Sequence, residues 1–186
     1  MSMQEVLDAM EEKMMKTLEV VHNEFATVRT GKASTALVEN IQVEAYGTHM
    51  RLREVAGLST PEPRLIVIQP WDPTVVPAVV KAIQTSSLGI QPVSDGKVVR
   101  IPIPELDKER RQQLDKQVKK LAEDGRVAIR NERRQGMEAV RKLQKEGKIT
   151  EDELKNAEQQ IQKKTDEYIK EIDTLLEHKE KEILSV

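Results

Sequence analysis

The sequence predicts an α+β protein: a long three-helix bundle with a small β/α/β domain inserted between the first and second helices. Three observations carry that prediction. Three segments repeat apolar residues at spacings of three and four over many turns. All eight prolines fall between residues 31 and 104. Within that same window, short β-branched runs alternate with turn residues.

The first helix is expected over residues 3–28. Met3, Leu7, Met10, Met14, Leu18, Val21, Phe25 and Val28 form its apolar stripe, and the pattern stops at Thr30-Gly31. Residues 31–104 carry the strand-like runs Ile41–Ala45, Leu65–Ile68 and Val98–Ile103. Ser94-Asp95-Gly96-Lys97 is a hairpin-turn signal, because Asp-Gly tolerates positive φ. Residues 74–86 read as one short helix, with Pro77 tolerated in its first turn. Trp71, the single tryptophan, is expected to pack inside this small domain, which needs large apolar area, with base stacking as the alternative.

The second helix runs from Leu106 to about Lys145. Glu146-Gly147-Lys148 stops it, and Thr150, three residues before Glu153, has the spacing of a capping box that starts the third helix. Leu154, Ala157, Ile161, Tyr168, Ile172, Leu175, Lys179 and Ile183 trace the third stripe. None of the three stripes can be buried alone, so a bundle follows. Up-down-up order puts the end of the first helix beside the start of the second, with the insertion at that corner. The expected domains are residues 1–30 plus 105–186 and residues 31–104. Short connections near 30–34 and 103–106 would form a two-strand hinge, giving a rod with a lobe at one end.

Composition excludes several classes. There is no cysteine, so disulfides and thiolate metal sites are ruled out. The N-terminus has no signal-like pattern and no segment approaches a membrane span, so a soluble, cytoplasmic protein is expected. The three histidines, His22, His49 and His178, lie in separate segments without metal-ligand spacing. No nucleophile motif or phosphate-binding loop is present, so no catalytic site, metal or cofactor is expected.

The net charge of −2 by itself argues against a nucleic-acid binder, but its distribution reverses that reading. Residues 1–30 sum to −3, residues 106–146 to +5 and residues 150–186 to −5. On the second helix, Leu114, Val118, Leu121, Ala122, Ile129, Ala139, Val140 and Leu143 share an arc of roughly 100°. Arg126, Arg130, Arg133, Arg134 and Arg141 occupy the adjoining arc. Arginines at helical spacing ordinarily serve solubility and ion pairing. Here residues 126–145 hold seven Lys or Arg against two Glu, which leaves too few acids on that stretch for neutralisation. The choice of Arg over Lys also favours phosphate, because the planar guanidinium fork matches it. Gly125 and Gly136 sit on the buried arc, where close helix approach is expected. Glu132 on the same arc is a candidate to pair with Arg or Lys from a neighbouring helix, or to orient Arg133.

Arg29-Thr30-Gly31-Lys32-Ala33-Ser34, Leu88-Gly89-Ile90, Arg100-Ile101-Pro102-Ile103-Pro104, Glu109-Arg110-Arg111 and Arg126-Val127-Ala128-Ile129-Arg130-Asn131-Glu132-Arg133-Arg134 resemble the ribosome recycling factor family, in order and with matching spacing. The resemblance implies an L-shaped, tRNA-like molecule that binds the post-termination ribosome and separates its subunits with elongation factor G and GTP. It implies Arg126, Arg130, Arg133 and Arg134 as contacts to large-subunit ribosomal RNA, with Arg29, Lys32 and Arg110 as further candidates near the hinge. The hinge residues would be Thr30, Gly31, Lys32, Pro102 and Pro104. A monomer without cofactor, metal or membrane partner is implied. Lys32 departs from the Arg common in the family, and Glu132 from an apolar residue. The competing reading is a non-catalytic helical RNA-binding or scaffold protein, which would share the stripes but not need unpaired arginines.

Overall fold

The computed structural model describes residues 1–184. Its long elements are α1 (Met3–Ala26), α4 (Lys108–Lys145) and α5 (Glu151–Leu184). Between the first two lie β1 (Gln42–Ala45), β2 (Thr48–Arg51), α2 (Leu52–Val55), β3 (Ala56–Glu62), β4 (Leu65–Pro70), α3 (Val76–Thr85), β5 (Val93–Ser94) and β6 (Val99–Pro102). The chain divides into two compact units, residues 1–25 with 115–181 and residues 26–114 with 182–184. The division therefore runs through α4 and α5, whose outermost turns cluster with the second unit.

The first unit is a bundle of α1, α4 and α5. The α1 stripe is buried at Leu7, Met10, Met14, Val21 and Phe25, and Val6 joins it. From α4 come Val118, Ala122, Ile129, Val140 and Leu143, and from α5 Ala157, Ile161 and Ile172. Thr165 fills the gap in the α5 stripe: its side chain is buried and its hydroxyl donates to the Ile161 carbonyl at 2.8 Å, which satisfies the one polar atom that burial would orphan.

Two glycines let α4 approach its neighbours. A Cβ on Gly125 would meet Val21 Cγ2 at 2.6 Å and Ile172 Cδ1 at 3.3 Å. One on Gly136 would meet Met10 Sδ at 2.8 Å and Ile161 Cδ1 at 3.6 Å. Each glycine thus packs against α1 and α5 together. The close-approach reading accounts for glycines that each cost about 1 kcal/mol of helix propensity.

The helix ends follow their sequence signals. The Arg110 amide donates to Asp107 Oδ1 at 2.7 Å at the start of α4. Gly147 adopts φ +73°, and the Lys148 amide reaches back to the Leu143 carbonyl at 2.9 Å. The Glu153 amide then donates to Thr150 Oγ1 at 3.1 Å, opening α5.

The second unit holds two antiparallel sheets. β1 and β2 pair with Gln42 opposite Arg51, through a turn in which Tyr46 and Gly47 both have positive φ. The other sheet has the order β3-β4-β6-β5, with Leu65 opposite Pro102 and Val93 opposite Arg100. Its core unites Val43, Leu52, Ile66, Ile68, Val99 and Ile101 with Val76, Val79 and Ile83 of α3. At the Ser94–Lys97 turn, Asp95 Oδ1 accepts from the Val98 and Lys97 amides at 2.9 and 3.1 Å. Those bonds, together with Arg100, hold the Asp95 carboxyl down at about 2.

The sequence did not disclose β2, β3 and β5. β2 is almost wholly exposed, β3 is an edge strand containing Gly57 and Pro61, and β5 has two residues. None has a buried alternating face to announce it. Trp71 corrects an expectation, because it is 68% exposed rather than packed in the core. Branched aliphatics close that core without it.

Candidate nucleic-acid interface

Helical geometry places Arg126, Arg130, Arg133, Arg134 and Arg141 along one flank of α4, and the structure sorts them by what holds them. Arg126 is the most constrained. Its guanidinium meets Asp173 of α5 at 2.7 Å and Glu123 at 3.1 Å, with only 19% of the side chain exposed. Burial pulls its pKa down, but Asp173 and Glu123 outweigh that and raise it. Arg130 pairs with the other oxygen of Glu123 at 3.2 Å. Bonds from Arg126 and then Arg130 hold the Glu123 carboxyl below its ordinary value. Arg141 reaches Glu158 of α5 at 3.4 Å.

Arg133 and Arg134 differ. Arg133 is half-buried and donates to the neutral Gln162 side chain at 3.1 Å. Arg134 is exposed and makes no hydrogen bond or ion pair among the described residues. Among the described residues two adjacent guanidiniums therefore have no carboxylate partner, next to three that are paired.

This corrects the expectation that the stripe lacks counter-charges. Glu123 lies one turn before residues 126–145, and Asp173 and Glu158 come from α5. The expectation for Glu132 changes too. Its Oε1 accepts from the Thr17 hydroxyl of α1 at 2.6 Å instead of a basic group, and its Oε2 is buried without a partner. Burial raises its pKa, against the opposing Thr17 bond and Lys13. Lys13 itself bonds Gln135 at 3.3 Å.

The remaining candidates lie in the second unit. Burial and then the neighbouring charge of Arg110 lower the pKa of Arg29, which puts these two guanidiniums in each other's field. Arg110 also donates to Gln113 at 3.2 Å. Lys32 is exposed. Thr30 is buried, and Gly31 adopts φ +82°. Pro102 closes β6 opposite Leu65, while Pro104 is exposed beyond the Ile103 amide, which donates to the Arg64 carbonyl at 2.8 Å.

Sequence reasoning missed the exposed Trp71 and Tyr46, the latter donating to Asp72 at 2.9 Å. The positive φ at Tyr46-Gly47 follows a run that reads as an ordinary strand end, so only the Gly hinted at the turn. Among the described residues no helix is long and apolar enough to cross a membrane.

A helical bundle with an arginine flank, interrupted by an antiparallel α+β unit, defines a class of two-unit helical factors. The chain belongs to the ribosome recycling factor family, whose model matches residues 21–184. It is 52% identical over 182 residues to the ribosome-recycling factor of Pelotomaculum thermopropionicum, covering 98% of each chain. It is 48% identical to that of Caldicellulosiruptor bescii, covering 99% of this chain and 100% of the other. A solution structure of a ribosome recycling factor superposes with a TM-score of 0.84 at 43% identity, covering 100% and 99% of the two chains. A further neighbour, at TM-score 0.70 and 44% identity over 99% and 100% of the chains, is the T. thermophilus factor, described with E. coli elongation factor G bound to the E. coli post-termination complex.

Proposed function

We propose that this protein binds the post-termination ribosome through ribosomal RNA of the large subunit and, with elongation factor G and GTP, promotes separation of the subunits. The observation that carries the RNA contact is the charge state of α4: Arg133 and Arg134 have no carboxylate to surrender before meeting phosphate. Arg130 adds a partly exposed charge, and Arg126 anchors the helix to α5 through Asp173. Arg29 and Arg110 form a second basic point, where a phosphate would relieve the repulsion between like charges. Lys32 can add one point charge but not a bidentate fork.

The role is mechanical. A stiff α4 of 38 residues, about 57 Å at 1.5 Å per residue, transmits force without bond chemistry in this chain. The energy comes from the partner GTPase. Thr30, Gly31 and Lys32 on one strand, with Pro102 and Pro104 on the other, would serve as the joint between the bundle and the inserted residues, working as a monomer in the cytoplasm.

The deciding experiment mixes the protein with post-termination complexes and follows subunit separation by light scattering, with and without elongation factor G and GTP. Splitting that needs all three components supports the reading. Undiminished splitting by a folded protein with both Arg133 and Arg134 replaced by alanine would remove the arginine pair from it.

A further inference from the structure

The bundle is electrically polarised. α4 carries thirteen Lys or Arg against six acids, whereas α1 carries two cations against six acids and α5 six against eleven. α4 packs on α1 through Gly136 against Met10, and on α5 through Gly125 against Ile172. That leaves a seam between α1 and α5, and the seam opens into a groove of about 1010 Å³ lined by those two helices alone.

The groove has an apolar floor and an acidic rim. Met15, Leu18, Tyr168 and Leu175 form the floor, and Met15 is 56% exposed although it is a large apolar side chain. Glu12, Glu19, Glu167 and Glu171 line the rim, against Lys16 and Lys170. Lys16 is already paired with Glu12 at 3.3 Å. Glu19 and Glu171 form no ion pair among the described residues. The lining runs from Glu12 to His22 on α1, roughly 15 Å of helix and about three turns.

We infer that this groove docks a basic amphipathic helical segment of a second protein. Apolar residues at i, i+3 and i+7 would seat over Met15 and Leu175, and flanking Lys or Arg would meet Glu19 and Glu171. The acidic rim repels nucleic acid and anionic membrane. A second copy of this chain is a poor occupant, because its most basic helix, α4, already buries its apolar face in its own bundle. The bundle would then hold RNA along α4 and a basic protein segment on the α1–α5 seam.

The test uses the full-length protein and fluorescein-labelled peptides of about 14 residues, roughly four helical turns. One is built of Leu and Lys in an amphipathic pattern. In the second Lys is replaced by Glu, and in the third Leu is replaced by Ser. Fluorescence anisotropy should show saturable one-to-one binding of the Leu–Lys peptide and at least roughly tenfold weaker binding of the other two. Met15→Gln, at an exposed position, and the pair Glu19→Gln/Glu171→Gln should each weaken the Leu–Lys peptide by about tenfold. Arg134→Ala should leave it unchanged. Equal binding of the Leu–Glu peptide, or indifference to both sets of groove variants, would overturn the inference. So would dimerisation in sedimentation that Met15→Gln abolishes, which would assign the groove to a second copy. No ribosome enters this assay, so its failure leaves the RNA-contact reading untouched.

Discussion

The arginines on the flank of α4 should not be equivalent on the ribosome, and the structure ranks Arg133, Arg134 and Arg126. Replacing Arg133 with alanine removes a guanidinium whose partner at 3.1 Å is the neutral Gln162. Giving up that neutral bond on binding costs about 0.5–1.5 kcal/mol, and the charge-assisted phosphate contact that replaces it contributes about 1.5–3 kcal/mol. The net is about 1–1.5 kcal/mol, or roughly 5–13-fold in Kd. Arg134 has no bond to surrender and falls at the upper end. Arg126 must first break with Asp173 at 2.7 Å and Glu123 at 3.1 Å, so its phosphate contact adds little. Arg126→Ala should change Kd by less than about threefold, yet lower the melting temperature because Asp173 loses its partner and Glu123 keeps only Arg130. The assay titrates labelled protein with isolated large ribosomal subunits at fixed salt, with thermal melts as the folding control. Removing Arg133 and Arg134 should also flatten the dependence of log Kd on log salt, since fewer counterions are released. Arg126→Ala weakening binding as much as Arg133→Ala, with both variants folded, would refute the argument that free charge selects the contacts.

Further outcomes follow from packing and charge. Gly125→Ala gains about 1 kcal/mol of helix propensity but drives a methyl to 2.6 Å from Val21, whose χ1 is stiff. Overpacking costs about 1–3 kcal/mol, so net destabilisation is expected in urea unfolding. Gly136→Ala should be close to neutral, because the facing Met10 is flexible and can yield. Glu132 has a raised folded-state pKa, so the fold favours its protonated form. Stability from this group is greatest below its unfolded value and is lost as pH rises through the folded one. Urea unfolding across pH 4 to 7 should show that loss in the native chain, and its absence in Glu132→Gln. For Asp95 the sign reverses: a carboxyl held at about 2 contributes stability above its unfolded pKa, which is lost as pH falls toward 2. An NMR titration should place its midpoint near 2, and Arg100→Ala should raise the midpoint only part of the way, because the Val98 and Lys97 amides remain.

Much of this protein is local, and local physics is legible in one dimension. A stripe at spacings of three and four must face a partner, so the pattern alone places Met10, Met14, Val118, Ile129, Ile161 and Ile172 in a core. Gly147 and the Thr150–Glu153 pair marked where one helix ends and the next begins, since caps satisfy backbone groups within a few residues. Asp95-Gly96 marked its turn for the same reason. Even the close approach at Gly125 and Gly136 was readable, because a helix keeps a poor helix former only where space demands it.

What sequence alone could not reach was pairing across helices. Asp173 and Glu158 lie 47 and 17 positions from the arginines they hold. Nothing in a linear pattern tells which acidic side chain will face which guanidinium. Thr17 opposite Glu132, the exposure of Trp71 and the groove between α1 and α5 arise in the same way, from which faces meet once the bundle closes. The sequence by itself determined that α4 is basic along one flank. Only the tertiary structure decided which of its charges are spent inside the fold and which, at Arg133 and Arg134, remain for a partner, because electrostatic pairing depends on distance in space and not on separation along the chain.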